Sequence, residues 1–318
     1  MKLIRLLCTV ITLIVLSGCT GCISIPWITG NSSFNSIDTE LVTPPPLTKT
    51  AVIVPLFGTV SEKWAIDAEK ALQDPKNDLV VLWIESPGGS VTETLLLTHK
   101  LLAFQKKYNK PIYIYSERIL ASGAYWVAAA FNKIIVSPAG HVGSIGVYMI
   151  RADYSKFYEK EGIKYNIIAS DSTKIMGHPA TPMESWEHAY WQRSISTSHV
   201  RFMKHVWDYR GDKLIDAYKF RHLRDVTTRL DSLQVVSEFR MIANGSLYGA
   251  NNAVLAGLAD DIKYFDDFVK MLQADGFNVI TEDGKRIDAF YPLTNADTIK
   301  KRAQQKAWDN LNAVHREK

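Results

Sequence analysis

Apolar residues in this chain alternate between short unbroken runs and longer stretches with helical spacing. Ala51-Val52-Ile53-Val54-Pro55-Leu56-Phe57 is short, apolar and β-branched, which predicts a buried strand. Helical spacing follows at Trp64, Ala65, Ala68 and Leu72. A second buried strand, 79–84, runs into the turn Ser86-Pro87-Gly88-Gly89-Ser90. Residues 91–108 then return to helical periodicity, and 111–115 reads as a third strand. Parallel neighbours need crossover helices, so this order predicts an α/β fold of stacked βαβ units with a largely parallel sheet.

Further along, the pattern predicts a short helix over 125–130, a strand over 133–136 and a glycine-punctuated stretch over 140–147. Another helix, 153–161, and a strand, 164–168, follow. The segment 183–209 places Trp186, Ala189, Tyr190, Ile195, Phe202 and Val206 at roughly helical spacing, which predicts a long exposed arm or interface helix. Its apolar face exceeds what one domain needs, and large exposed apolar patches are usually interfaces. A homo-oligomer is therefore expected. Residues 281–318 form a polar tail with an amphipathic stretch from Ala296 that suggests no role, and no internal repeat is visible.

The first fifty residues change the picture by setting a compartment. Lys2 and Arg5 precede an apolar run, Leu6 to Leu16, which ends in Leu16-Ser17-Gly18-Cys19. That is the pattern of a bacterial lipoprotein signal peptide over 1–18, with Cys19 as the lipidated residue. An uncleaved spanning helix would need about 20 apolar residues, and Gly18, Thr20 and Gly21 interrupt the run. Residues 19–49, rich in Ser, Asn, Thr and Pro and ending in Thr43-Pro44-Pro45-Pro46, suit a stiff spacer between the membrane and a folded body over 50–280. The expected location is the bacterial cell envelope, facing the periplasm or exterior, with the N-terminal lipid as membrane attachment.

Composition narrows the chemistry. With 47% hydrophobic and 22% charged residues in 318, the chain is globular. The net charge of +4, or +2 without Lys2 and Arg5, gives no reason to expect nucleic acid as a partner. Cys8, Cys19 and Cys22 all lie at the N-terminus, so the body has no thiol for nucleophilic catalysis, metal ligation or disulfides. No His-Glu-x-x-His occurs and the eight histidines form no ligand pattern, so no metal site and no cofactor are expected.

Three glycine-bearing turns end predicted strands: Ser86-Pro87-Gly88-Gly89, Ala121-Ser122-Gly123-Ala124 and Gly143-Ser144-Ile145-Gly146. Open α/β sheets bind ligands at such ends. A glycine pair there can turn its N–H groups toward a bound carbonyl, or it can simply be a tight turn. A serine at a strand-to-helix junction points its Oγ at a helix N-terminus, where developing negative charge is stabilised.

In order and spacing these segments resemble the S49 family of signal peptide peptidases, part of the wider Clp protease and crotonase-like superfamily. The resemblance runs over roughly residues 50 to 275, through "LWIESPGGSV" (82–91), "ASGAYW" (121–126), "GSIGV" (143–147), "STKIMGHP" (172–179) and "ANGSLYGANNAVLAGLADDI" (243–262). It implies a Clp/crotonase-like fold and a serine endopeptidase acting on peptides, with cleaved signal peptides as the expected substrates. It implies Ser122 as nucleophile, Lys174 as general base 52 residues later, and the Gly89 and Gly123 amides as the oxyanion hole. Ala124 stands where the family more often has a second glycine. The family also forms rings or domes, in which the lysine can reach a neighbour's serine.

Rival readings rest on the same residues. A Clp-type Ser-His-Asp site would want a histidine where this chain has Ser137, and His141, the nearest, sits in a glycine-rich turn that suits a structural role. A crotonase-like acyl-CoA enzyme has no need of Ala-Ser-Gly or of export. The remaining alternatives are a catalytically inactive peptidase-like scaffold and a viral capsid-processing peptidase of the same family.

Overall fold

The computed structural model describes residues 46–131, 133–217 and 239–287. Its elements in chain order are β1 (Lys49–Phe57), α1 (Lys63–Gln73), β2 (Leu79–Glu85), α2 (Val91–Tyr108), β3 (Ile112–Ser116), β4 (Ile119–Ala121), α3 (Gly123–Ala129), β5 (Lys133–Val136), β6 (His141–Gly143), α4 (Ser155–Lys160), α5 (Ser185–Ala217), β7 (Leu247–Gly249), α6 (Ala250–Leu255), β8 (Asp261–Ile262), α7 (Phe265–Ala274) and β9 (Phe277–Thr281). The six-stranded sheet runs β8-β5-β3-β2-β1-β9, and every neighbouring pair in it is parallel. The α/β expectation holds, with a large parallel sheet and peripheral helices.

Burial on both faces explains why β2, Leu-Val-Val-Leu-Trp-Ile-Glu, is continuous rather than alternating. On one face Val80, Leu82 and Ile84 pack with Leu72, Leu97 and Tyr125 from α1, α2 and α3. On the other, Leu79, Val81 and Trp83 meet Phe265, Phe268 and Leu272 of α7. Trp83 stacks on Phe265 with ring centroids 4.8 Å apart.

A second sheet, β4-β6-β7, stands beside the first; β4 is parallel to β6, which is antiparallel to β7. An isolated bridge, Ser86 to Leu120, joins the end of β2 to β4. The pattern of apolar positions did not predict this sheet, because strands of three residues are too short for any period to register.

Two other expectations need revision. Residues 164–168 form no strand: Tyr165 and Ile168 are exposed, and among the described residues no strand lies alongside to complete a ladder. The long helix is α5, and half of its apolar face is used within the chain. Phe202, Met203, Val206, Trp207 and Leu214 are buried, while Trp186 and Tyr190 toward its N-terminus are exposed. The amphipathic stretch from Ala296, the signal segment and Cys19 lie outside the described residues.

Helix α5 is fixed by polar groups as well as apolar ones. Arg210, fully buried, pairs with Asp260 at 3.1 Å and donates to the Gly257 carbonyl at 2.8 Å. Burial works to raise the Asp260 carboxyl, but Arg210 and Lys213 hold it below its usual value. His205 Nε2 donates to the Trp126 carbonyl at 2.9 Å, and its ring lies against Trp126 and Tyr209. Burial lowers the His205 imidazole to about 4, against the opposing pull of the Trp126 carbonyl and Asp208. Because the folded value lies below the unfolded one, protonation of the unfolded chain drains stability as pH falls from 6.5 toward 4. The expected loss attributable to this residue is up to about 3 kcal/mol. Urea unfolding at several pH values in this window should show a flatter pH dependence for His205→Gln than for the parent.

Candidate active site

Ser122 is the N-cap of α3, at φ 52° and ψ −126°. A positive φ on a non-glycine residue costs energy and persists only where the surroundings impose it. Here the backbone is held at both ends: Ser122 N donates to the Gly143 carbonyl at 2.8 Å, and Trp126 N donates to the Ser122 carbonyl at 2.9 Å. All seven residues of α3 are buried, so the helix cannot shift to release the turn.

The glycine turn after β2 lies directly against this corner. Ser86 N donates to the Ile119 carbonyl at 2.9 Å and Ala121 N to the Ser86 carbonyl at 3.0 Å, while Gly88 N donates to Ser86 Oγ at 3.0 Å. Gly88 has φ 110°, and a Cβ there would fall 2.7 Å from Ser122 Cβ and 2.9 Å from Gly123 N. Only glycine lets the two turns meet this closely. A Cβ on Gly123 would lie 3.2 Å from Gly89 N, so those two backbone segments are adjacent. Among the described residues no hydrogen-bond acceptor engages the amide of Gly89 or of Gly123.

These groups line a cleft of about 450 Å3 with Val91, Trp126, Val147, Tyr148 and Phe202 on its walls. Trp126 and Phe202 are stacked with centroids 4.6 Å apart. The arrangement offers a hydroxyl, free amide donors and an apolar trough, which together suit attack on a carbonyl and stabilisation of the oxyanion formed. Among the described residues lining it there is no Lys, His, Asp or Glu.

Of the residues singled out by sequence, the structure therefore brings together Ser122, Gly89 and Gly123, and leaves Lys174 apart. Lys174 sits on a 3-10 turn, Ser172–Ile175, with no buried residue. Asp171 caps that turn, its Oδ1 accepting from Thr173 N at 2.9 Å and Thr173 Oγ1 at 2.7 Å. The turn belongs to an arm braced to the irregular segment that leaves the cleft: Arg151 Nη2 donates to the His178 carbonyl at 2.6 Å and Tyr154 N to the Pro179 carbonyl at 2.8 Å. Gly177 N donates to buried Glu187 at 3.1 Å. Arm side chains Tyr148, Ile150, Phe157 and Ile168 are all exposed. His141 is exposed at the start of β6 and does not line the cleft. Among the described residues no three His, Cys, Asp or Glu side chains are grouped to hold a metal ion, and no helix is long and apolar enough to cross a membrane.

Sequence reasoning missed Glu85. Its side chain is 3% exposed and accepts from Trp83 Nε1 at 2.9 Å, Arg118 N at 3.0 Å and Ile119 N at 3.1 Å. Multiple donors satisfy the buried carboxylate and pin the turn that feeds β4 and Ser122. The available signal was a lone charge closing an otherwise apolar strand.

The family model described as Peptidase family S49 matches residues 104–220, a span holding both Ser122 and Lys174. A putative protease from Methanocaldococcus jannaschii is 31% identical over 61% of this chain and 55% of its own. A putative signal peptide peptidase from Enterococcus faecium is 28% identical over 64% and 53%. The capsid assembly protease C of Escherichia phage lambda is 23% identical over 64% and 41%. The chain thus spans about half the length of the curated relatives it matches. Strain at the serine gives a test independent of activity. Ser122→Gly relieves the positive φ that Ser122→Ala retains, so the glycine variant is expected to be more stable by about 1 kcal/mol after its extra unfolded-state entropy. Paired denaturant titrations of the two variants check this.

Proposed function

We propose that this chain is a membrane-anchored serine endopeptidase of peptidase family S49, whose family model it matches over residues 104–220, in which Ser122 is the nucleophile and Lys174 the general base. The observation that carries the reading is the strained Ser122 corner, packed against Gly88 beside two free amides. Ser122 Oγ attacks the peptide carbonyl as its proton passes to Lys174 Nζ, and the Gly89 and Gly123 N–H groups receive the oxyanion. Collapse breaks the C–N bond and returns the proton to the leaving amine. The same lysine then activates the water that frees the acyl group.

A lysine serves as base only when neutral, and burial among apolar groups favours that state. Lys174 is exposed in a single chain, on an arm whose apolar side chains also face outward. Docking of that arm on a second copy would bury both and bring the base to a neighbour's serine. The apolar walls of the cleft fit cleaved signal peptides and other membrane-associated peptides as substrates. Cys19 is the residue proposed to carry the lipid, and the mass of the mature N-terminus tests it: an intact Met1 in the membrane-bound protein would defeat the anchor.

Peptidase turnover decides the rest. Ser122→Ala and Lys174→Arg are expected to lose activity by at least about a hundredfold, since guanidinium cannot act as base, and His141→Ala is expected to retain it. Co-expressed Ser122→Ala and Lys174→Ala chains should recover roughly a quarter of parental activity if the dyad spans subunits of a closed ring. Full activity in Lys174→Arg, or loss confined to His141→Ala, overturns the assignment.

A further inference from the structure

We propose that the Thr94 hydroxyl is a third polar group of the oxyanion end of the cleft, left without a hydrogen bond in the free protein and satisfied when the acyl carbonyl becomes tetrahedral. The inference rests on Ser122 being the nucleophile. Thr94 lies in the first turn of α2 and is 1% exposed. Its Oγ1 is buried and has no hydrogen-bond partner among the described residues.

That state is unusual for a helical threonine, which ordinarily donates to the carbonyl one turn back. Thr98 does so, its Oγ1 donating to the Thr94 carbonyl at 2.7 Å. Thr94 is instead turned toward the junction of the two glycine turns. A Cβ built on Gly123 would fall 2.4 Å from Thr94 Oγ1 and 3.2 Å from Gly89 N, so the hydroxyl, the Gly89 amide and Gly123 converge on one point. Thr94 also lines the cleft that holds Ser122.

Two consequences follow from this placement. The hydroxyl leaves no room for a side chain at residue 123, which keeps that backbone open toward the cleft. A desolvated donor with no partner is also costly in the free protein, and valine would fill the same volume without that cost. The cost is recovered in the transition state if the partner is the oxygen on which charge develops.

The test compares the parent full-length chain with Thr94→Val, Thr94→Ser and Ser122→Ala, using a fluorogenic apolar peptide amide and urea denaturation. Thr94→Val is expected to be at least as stable as the parent yet about tenfold or more slower in kcat, with KM within about threefold. Thr94→Ser, which keeps the hydroxyl, should stay within about threefold of parental kcat. Parental kcat in Thr94→Val overturns the proposal, as does a fall in Thr94→Val and Thr94→Ser alike that tracks lost stability. Cleavage by Ser122→Ala would instead refute the assignment of the nucleophile on which the proposal rests.

Discussion

The conformation of Ser122 is the constraint on which the site depends. At φ 52° and ψ −126° the residue is held where an isolated chain would rarely place it, and three contacts keep it there. The Gly143 carbonyl takes its amide, Gly88 packs against its Cβ, and the fully buried α3 blocks retreat along the chain. Each contact comes from a different part of the fold, so the serine is presented by the tertiary structure rather than by its own turn.

Behind those contacts stands a polar brace. Glu85 ends β2 and accepts hydrogen bonds from the turn between β3 and β4, while Ser86 exchanges backbone bonds with β4 itself. The glycine turn and the serine turn therefore descend from one joint at the ends of two sheets. A carboxylate buried in this way is costly unless satisfied, and its donors come mainly from backbone, which cannot rotate away. Rigidity at the joint is what allows amides and hydroxyl to share one cleft without side chains between them.

The same fold leaves one region without an inner partner. The core absorbs Phe202, Met203, Val206 and Trp207 of α5, but the arm from Tyr148 onward shows Tyr148, Ile150, Phe157 and Ile168 to solvent. Lys174 stands on that arm, and the cleft lined by Ser122 contains no basic side chain among its described residues. Both facts underlie the proposal that the site is completed by association, with Lys174 of one copy serving as base for the serine of another.

Much of this was legible in the sequence because periodicity and local chemistry are local properties. The runs at 51–57 and 79–84 and the helix over 91–108 follow from burial on both faces of a parallel sheet, and the glycine motifs mark where backbone must approach backbone. Ser122, Gly89 and Gly123 stand out locally as a serine and glycines in strand-end turns, while their roles as nucleophile and oxyanion hole came from the resemblance to the S49 family. The tertiary structure alone decided what depends on distant partners. It assembled the three-residue strands β4, β6 and β7 into a sheet, left 164–168 without one, and divided α5 between core and surface. It turned Glu85 from an isolated charge into a clamp and left the Thr94 hydroxyl, beside Gly123, with no hydrogen-bond partner among the described residues. Those outcomes depend on which groups meet across tens of residues, and no pattern within a single segment contains that information.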